Sequence, residues 1–172
     1  ARSQNFTAVG DSLVLCRFTS ERGFGLFVGE PYARMVRAVT GWNMDAEELE
    51  SLNRERQAVE ERISREAIDQ IESWPEARRR RRGYVVAGEG WHEGVIGIVA
   101  SRLVERYNRP VVIIAGTDGD WKGSGRSVPA FDLHAGLGAC SGHLLRFGGH
   151  RAAAGLTIEA ERVETFAAAF AA

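Results

Sequence analysis

Between residues 46 and 73 apolar side chains return at three-, four- and seven-residue steps among charged neighbours: Leu49, Leu52, Val59, Ile63, Ala67 and Ile71. That spacing predicts one long amphipathic helix, roughly Ala46 to Ser73, opened by Asp45 with Glu48 three residues on and closed by Pro75. A single apolar stripe fits a helix that packs on or connects to a neighbour, or one arm of a coiled-coil dimer. From Gly83 the pattern changes. Tyr84-Val-Val-Ala87 reads as a short buried strand, and Val95, Ile98, Val99, Leu103 and Tyr107 share one helical face that Asn108 and Pro110 end. Val111 to Ala115 is a second buried strand, so the order predicts a right-handed crossover, a parallel pair and an α/β fold with a mixed sheet and flanking helices.

Further on, Thr117 to Asp120 reads as a turn, Trp121 to Ser127 as a glycine-punctuated strand, and Asp132 as the cap of a short helix reaching about Cys140. Phe147 to Gly155 is a turn rich in glycine and alanine that leads into a last strand, Leu156-Thr-Ile158. A further helix starts at 160 and stops at 172, as in a fragment. Residues 1–44 are the least regular, because glycines at 10, 23, 25, 29 and 41 interrupt short apolar pieces; a small segment of helix and loops is expected there. The expected organisation is therefore residues 1–44, a long helix with an arginine-rich linker over 45–82, and an α/β domain over 83–172.

Composition narrows the function classes. With 172 residues, 44% hydrophobic and 26% charged, the chain is not a disordered tail. No apolar run reaches the roughly 18 residues needed to cross a bilayer, and no secretory signal opens the chain, so a cytoplasmic location and no membrane partner are expected. The two cysteines, Cys16 and Cys140, stand far apart, against a disulfide scaffold and in keeping with a reducing compartment. Net charge is +2 over residues 1–44, −2 over 45–82 and −1 over 83–172, so any nucleic-acid site must be local. The 22 basic residues are 21 arginines and one lysine, Lys122. Five consecutive arginines, Arg78 to Arg82, suit phosphate contact or a solvated junction between helix and strand.

Three stretches carry candidate chemistry. In Lys122-Gly-Ser-Gly-Arg-Ser127 the glycines let a ligand approach the backbone while Ser124, Arg126 and Ser127 offer hydroxyls and a guanidinium, a set suited to phosphate; a purely structural turn has the same composition. In Arg146-Phe-Gly-Gly-His150, Gly148 and Gly149 offer open amides and His150 a ring donor, or a satisfied structural histidine. In Gly90-Trp-His-Glu-Gly94 the start of a helix favours an anion, with Trp91 and His92 stacking on a base; the alternative is a capping His92 and a Trp91 buried in the core. His92, His134, His143, His150 and Cys140 form no paired ligand motif, so neither a metal site nor catalytic residues are expected in this chain. A Walker loop, a nucleophile elbow and a two-metal aspartate cluster are also missing from the sequence.

Leu52-Asn-Arg-Glu-Arg-Gln57, the run from Gly90-Trp-His-Glu-Gly94 to Leu103, Arg109-Pro110, Gly123-Ser-Gly-Arg-Ser127, Phe131-Asp-Leu133 and Arg146-Phe-Gly-Gly-His150 occur in that order. Together they closely resemble the RecJ family of single-strand-specific 5′-to-3′ DNA exonucleases, within the DHH phosphoesterase superfamily, over about residues 47–172. The resemblance implies that 83–172 is the DHH-associated substrate-binding domain and that the long helix connects it to a catalytic domain. It implies a role in DNA repair and recombination, single-stranded DNA as partner, and Ser124 and Arg126 on the 5′-terminal phosphate or the nucleotide beside the scissile bond, with Gly148, Gly149 and His150 lining the same cleft. The family's manganese or magnesium sits on aspartates and a histidine pair of the catalytic domain; no Asp-His-His occurs here, so this chain alone is expected to be inactive. A nucleotide- or cyclic-dinucleotide-binding domain of a small-molecule DHH phosphodiesterase, or an inert structural fragment, are the alternatives.

Residues 4–48 resemble something else. Gln4-Asn-Phe-Thr-Ala8, Asp11-Ser-Leu-Val-Leu-Cys-Arg-Phe18 and Ala38-Val-Thr-Gly-Trp-Asn43 are similar to the C-terminal region of aldehyde ferredoxin oxidoreductases. In that family the matching aspartate contacts the tungsten pterin and the matching cysteine ligates an iron-sulfur cluster. Here Val14 replaces the family's glycine and Cys16 stands without the other three cluster cysteines, so no cluster is expected and a fused sequence is.

Overall fold

The computed structural model describes residues 5–9, 13–17, 46–116 and 119–171. It divides into two units, Ala1–Ala58 and Val59–Ala172. In the first, β1 (Asn5–Val9) and β2 (Leu13–Arg17) pair antiparallel, with Phe6 opposite Cys16 and Val9 opposite Leu13. This hairpin corrects the expectation of helix and loops for the described part of residues 1–44. The two five-residue runs contain Phe, Thr, Val and Leu, which suit strands, and paired antiparallel they satisfy each other's backbone groups. The rest of that segment, and the expected cap Asp45, lie outside the described residues.

Helix α1 (Ala46–Ser73) has the length its periodicity predicts. After it come a short α2 (Glu76–Arg79) that Pro75 opens, then β3 (Tyr84–Glu89), α3 (Glu93–Tyr107) and β4 (Val111–Gly116). β3 and β4 are parallel, Tyr84 beside Val111, as the crossover requires. Asn108 ends α3 in the left-handed conformation with φ 50°, and its amide bonds Val104 O at 2.8 Å. Next are β5 (Trp121–Arg126), α4 (Leu133–Ala139), capped by Asp132 through Ala135 N, and β6 (Arg146–Gly149), β7 (Ala153–Ile158) and α5 (Val163–Phe170).

The five strands run in the order β3-β4-β5-β7-β6, antiparallel from β4 onward. One sheet face carries Tyr84, Val86, Val111, Ile113 and Ala115, packed against Ile63, Ala67 and Ile71 of α1 and Val95, Val99 and Leu103 of α3. The other carries Val85, Val112, Ile114, Leu156 and Ile158 against Leu133 and Leu137 of α4 and Phe166 and Phe170 of α5. The segment expected to be a turn before a last strand is instead the hairpin β6–β7. Its paired main chains need no apolar side-chain pattern, and Gly149, at φ +143°, supplies the backbone angle at its bend.

Candidate phosphate-binding face

On β5 every second side chain points to the face that α3 covers: Lys122, Ser124 and Arg126, opposite Ala115, Ile113 and Val111 of β4. Their partners on β7 are Thr157, Gly155 and Ala153, and those on β6 are Arg146 opposite Thr157 and Gly148 opposite Gly155. Helix α3 packs on β4 and β5. Beyond it, Gly155 and Gly148 are exposed, and a Cβ built on Gly148 meets nothing within 4 Å. The result is a half-covered sheet: a wall formed by α3, a shelf of glycine backbone, and a polar edge between them.

At that edge Arg126 Nη1 donates to Ser124 Oγ at 3.0 Å and to Gly125 O at 2.8 Å. Helix α3 comes close enough here that a Cβ on Gly97 would lie 2.7 Å from Arg126 Nη2 and 3.0 Å from Ser124 Oγ. The side chain is thus held half-buried, its planar fork of donors at the edge of the face. The positions that β5, β7 and β6 contribute to this face hold three cations, Lys122, Arg126 and Arg146, and no carboxylate. In a chain of net charge −1 that is a local concentration of positive charge.

The other expected site residues fall in several places. Ser127 staples loops: its Oγ donates to Phe131 O at 2.9 Å and its amide to Ala152 O at 3.0 Å. Gly148 and Gly149 belong to the edge strand β6, so part of the amide row expected to lie open is used in the ladder. His150 is exposed; its amide bonds Ala153 O at 2.8 Å and its Nδ1 accepts from Ala152 N at 3.3 Å. His92 caps α3, Nδ1 accepting from Gly94 N at 3.0 Å. Trp91 does not offer a stacking surface: it is 2% exposed, and its indole N–H donates to Glu66 Oε2 at 2.6 Å. A ring that size gains more from the core once its one polar atom has a carboxylate partner, so the buried alternative is the one realised.

Two members of the face escaped the sequence reading as site residues. Lys122 and Arg146 stand on either side of Thr157 in a single row across three strands. Alternation along β5 could have found Lys122, two positions before Ser124, whereas Arg146 needs the register of β6. Among the described residues no group of three or more His, Cys, Asp and Glu side chains is placed to hold a metal ion. Cys140 is buried, which pushes its thiol above the ordinary range and leaves it protonated near neutrality.

Two parts of the chain are similar to known proteins. Residues 82–172 match the family model described as the DHHA1 domain, more than half of the chain, and residues 1–65 match the model described as aldehyde ferredoxin oxidoreductase, domains 2 and 3. The single-stranded-DNA-specific exonuclease RecJ of Bacillus subtilis strain 168 is 43% identical over 121 residues, 69% of this chain and 15% of the relative. That of Escherichia coli K12 is 38% identical over 127 residues, 70% of this chain and 22% of the relative. The chain thus spans about a fifth of the length of these proteins. Among solved structures, RecJ from Thermus thermophilus in complex with Mg2+ superposes with a TM-score of 0.63 at 36% identity, over 73% of this chain and 19% of that one. An exonuclease RecJ bound to manganese superposes with a TM-score of 0.63 at 34% identity, over 73% of this chain and 30% of that one.

Proposed function

The chain belongs to the DHHA1 domain family, and from that premise we propose that residues 83–172 form the part of a RecJ-like exonuclease that holds the 5′ end of single-stranded DNA. The observation that carries this reading is the Ser124–Arg126 pair at the edge of α3, beside the exposed Gly148 and Gly155 of the uncovered half of the sheet. A guanidinium fixed beside a hydroxyl presents several donors to one phosphate, and a shelf without side chains admits a sugar or base beside it. Such a face binds and orients; hydrolysis of the phosphodiester belongs to a separate DHH catalytic domain carrying manganese or magnesium. On this reading the part of the present chain is to bind and position the strand. In the assembled enzyme the role of Arg126 is to neutralise the terminal phosphate and set the register of the strand. DNA repair and recombination are the processes this activity serves.

Fluorescence anisotropy of a single-stranded oligonucleotide, with and without a 5′-phosphate, at two salt concentrations tests the reading. The full chain should prefer the phosphorylated strand, more strongly at low salt. Arg126→Ala should cost about 1.5–3 kcal/mol, on the order of tenfold to a hundredfold, and abolish the preference. Equal binding of both strands by wild type and variant would refute the assignment. Tight binding of a dinucleotide with no gain from added length would move it to a small-molecule phosphodiesterase.

A further inference from the structure

Two residues along β5 from Ser124, on the same face, lies the row Lys122, Thr157 and Arg146. Lys122 Nζ donates to Thr157 Oγ1 at 3.4 Å, and Thr157 is only 7% exposed. A half-buried ammonium has three donors to satisfy, yet among the described residues it meets one neutral hydroxyl and no carboxylate. Arg146, directly across Thr157, is exposed and likewise has no acidic partner among the described residues. Two cations thus flank a buried hydroxyl with no carboxylate to offset them, a local field that attracts an anion. The chain also uses arginine at 21 of its 22 basic positions, and the single lysine stands here.

We infer that Lys122, Thr157 and Arg146 form a second phosphate site, which takes an internal phosphate of a single strand whose 5′ end rests on Ser124 and Arg126. The inference rests on the proposed function and extends it. Strand geometry sets the Lys122 row about 7 Å from Ser124 and Lys122 about 14 Å from Arg126 along β5, so a strand that reaches both must extend past its first nucleotide. Thr157, already accepting from Lys122, keeps its own O–H to donate to a phosphate oxygen. Gly155 and Gly148 continue the Ser124 row across β7 and β6 and leave room there for the sugar and base that join the phosphates.

Length dependence tests this. The full chain would be titrated against 5′-phosphorylated thymidylates of one, two, four and eight nucleotides, each with a 3′ fluorophore. Lys122→Gln with Arg146→Gln should weaken the four- and eight-nucleotide strands by about tenfold or more. The same pair should leave the mononucleotide within about twofold and reduce the slope of log affinity against log salt by about 0.7 for each cation removed from a phosphate. The charge-keeping pair Lys122→Arg with Arg146→Lys should retain most of the affinity, and it carries the test if the glutamine pair melts early. Wild-type affinity and slope for the octamer in the glutamine pair would overturn the inference, as would an equal loss for the mononucleotide. Arg126→Ala in the same series separates the two failures: if it changes no length, the end-binding reading falls as well.

Discussion

Gly97 shows how one residue ties the fold to the site. It sits inside the 15-residue α3, where glycine forgoes about 0.5–1 kcal/mol of helix stability relative to alanine. Its position accounts for it: a methyl group there would stand 2.7 Å from Arg126 Nη2, the far end of a flexible side chain that swings aside at little cost. Gly97→Ala should therefore leave the melting temperature unchanged or raise it slightly, while displacing the guanidinium and lowering affinity for a 5′-phosphorylated strand several-fold. Parallel melts and anisotropy titrations check the two halves of this expectation, and unchanged affinity would mean that Gly97 only serves packing. The Gly-Ser-Gly-Arg stretch was legible as a candidate site because glycines beside a hydroxyl and a guanidinium are local signals. The fate of Trp91 was not, because it turns on Glu66, 25 residues away on another helix.

At the scale of elements, the two glycines of β6 have unlike roles that their adjacency hides. Gly148 opens onto free space, so Gly148→Ala should change stability by no more than about 0.5 kcal/mol while placing a methyl group on the shelf and weakening strand binding. Gly149 has φ +143°, and a Cβ there would lie 2.5 Å from Ala153 O and from Ala154 Cα, main-chain atoms that cannot step aside. Gly149→Ala should cost about 2 kcal/mol or more, read by urea denaturation; equal costs at the two positions would show that the bend does not depend on this angle. The crossover from β3 to β4 was readable because two apolar runs bracket an amphipathic one. The strand β6 was not, because Arg146-Phe-Gly-Gly149 has no alternating apolar pattern and is held by pairing with β7. The row of Lys122 and Arg146 escaped for the same reason: it exists only through strand register.

For the molecule as a whole, the matched domain and the folding unit have different borders. The DHHA1 match begins at residue 82, yet Ile63, Ala67 and Ile71 of α1 are 0–1% exposed and share a core with Val86, Trp91 and Val99. Polar contacts bind the same helix to the sheet: Glu66 accepts from Trp91, Gln70 Nε2 donates to Ala87 O at 2.9 Å, and buried Glu60 pairs with Arg102 at 2.6 Å. Removing one partner of such a pair leaves a buried group unsatisfied. Burying each isoleucine contributes about 1.5–3 kcal/mol, so together they supply a sizeable part of the roughly 5–15 kcal/mol typical of a whole domain. A chain of residues 59–172 should therefore melt cooperatively and match the full chain in the anisotropy titration with 5′-phosphorylated strands. One of residues 82–172, lacking α1, should melt at a much lower temperature or without a cooperative transition, although it keeps Ser124 and Arg126. If the two pieces melted alike, α1 would be an appendage to the domain; if only the longer one melts cooperatively, the helix is an integral layer of the fold that backs Trp91 and the sheet.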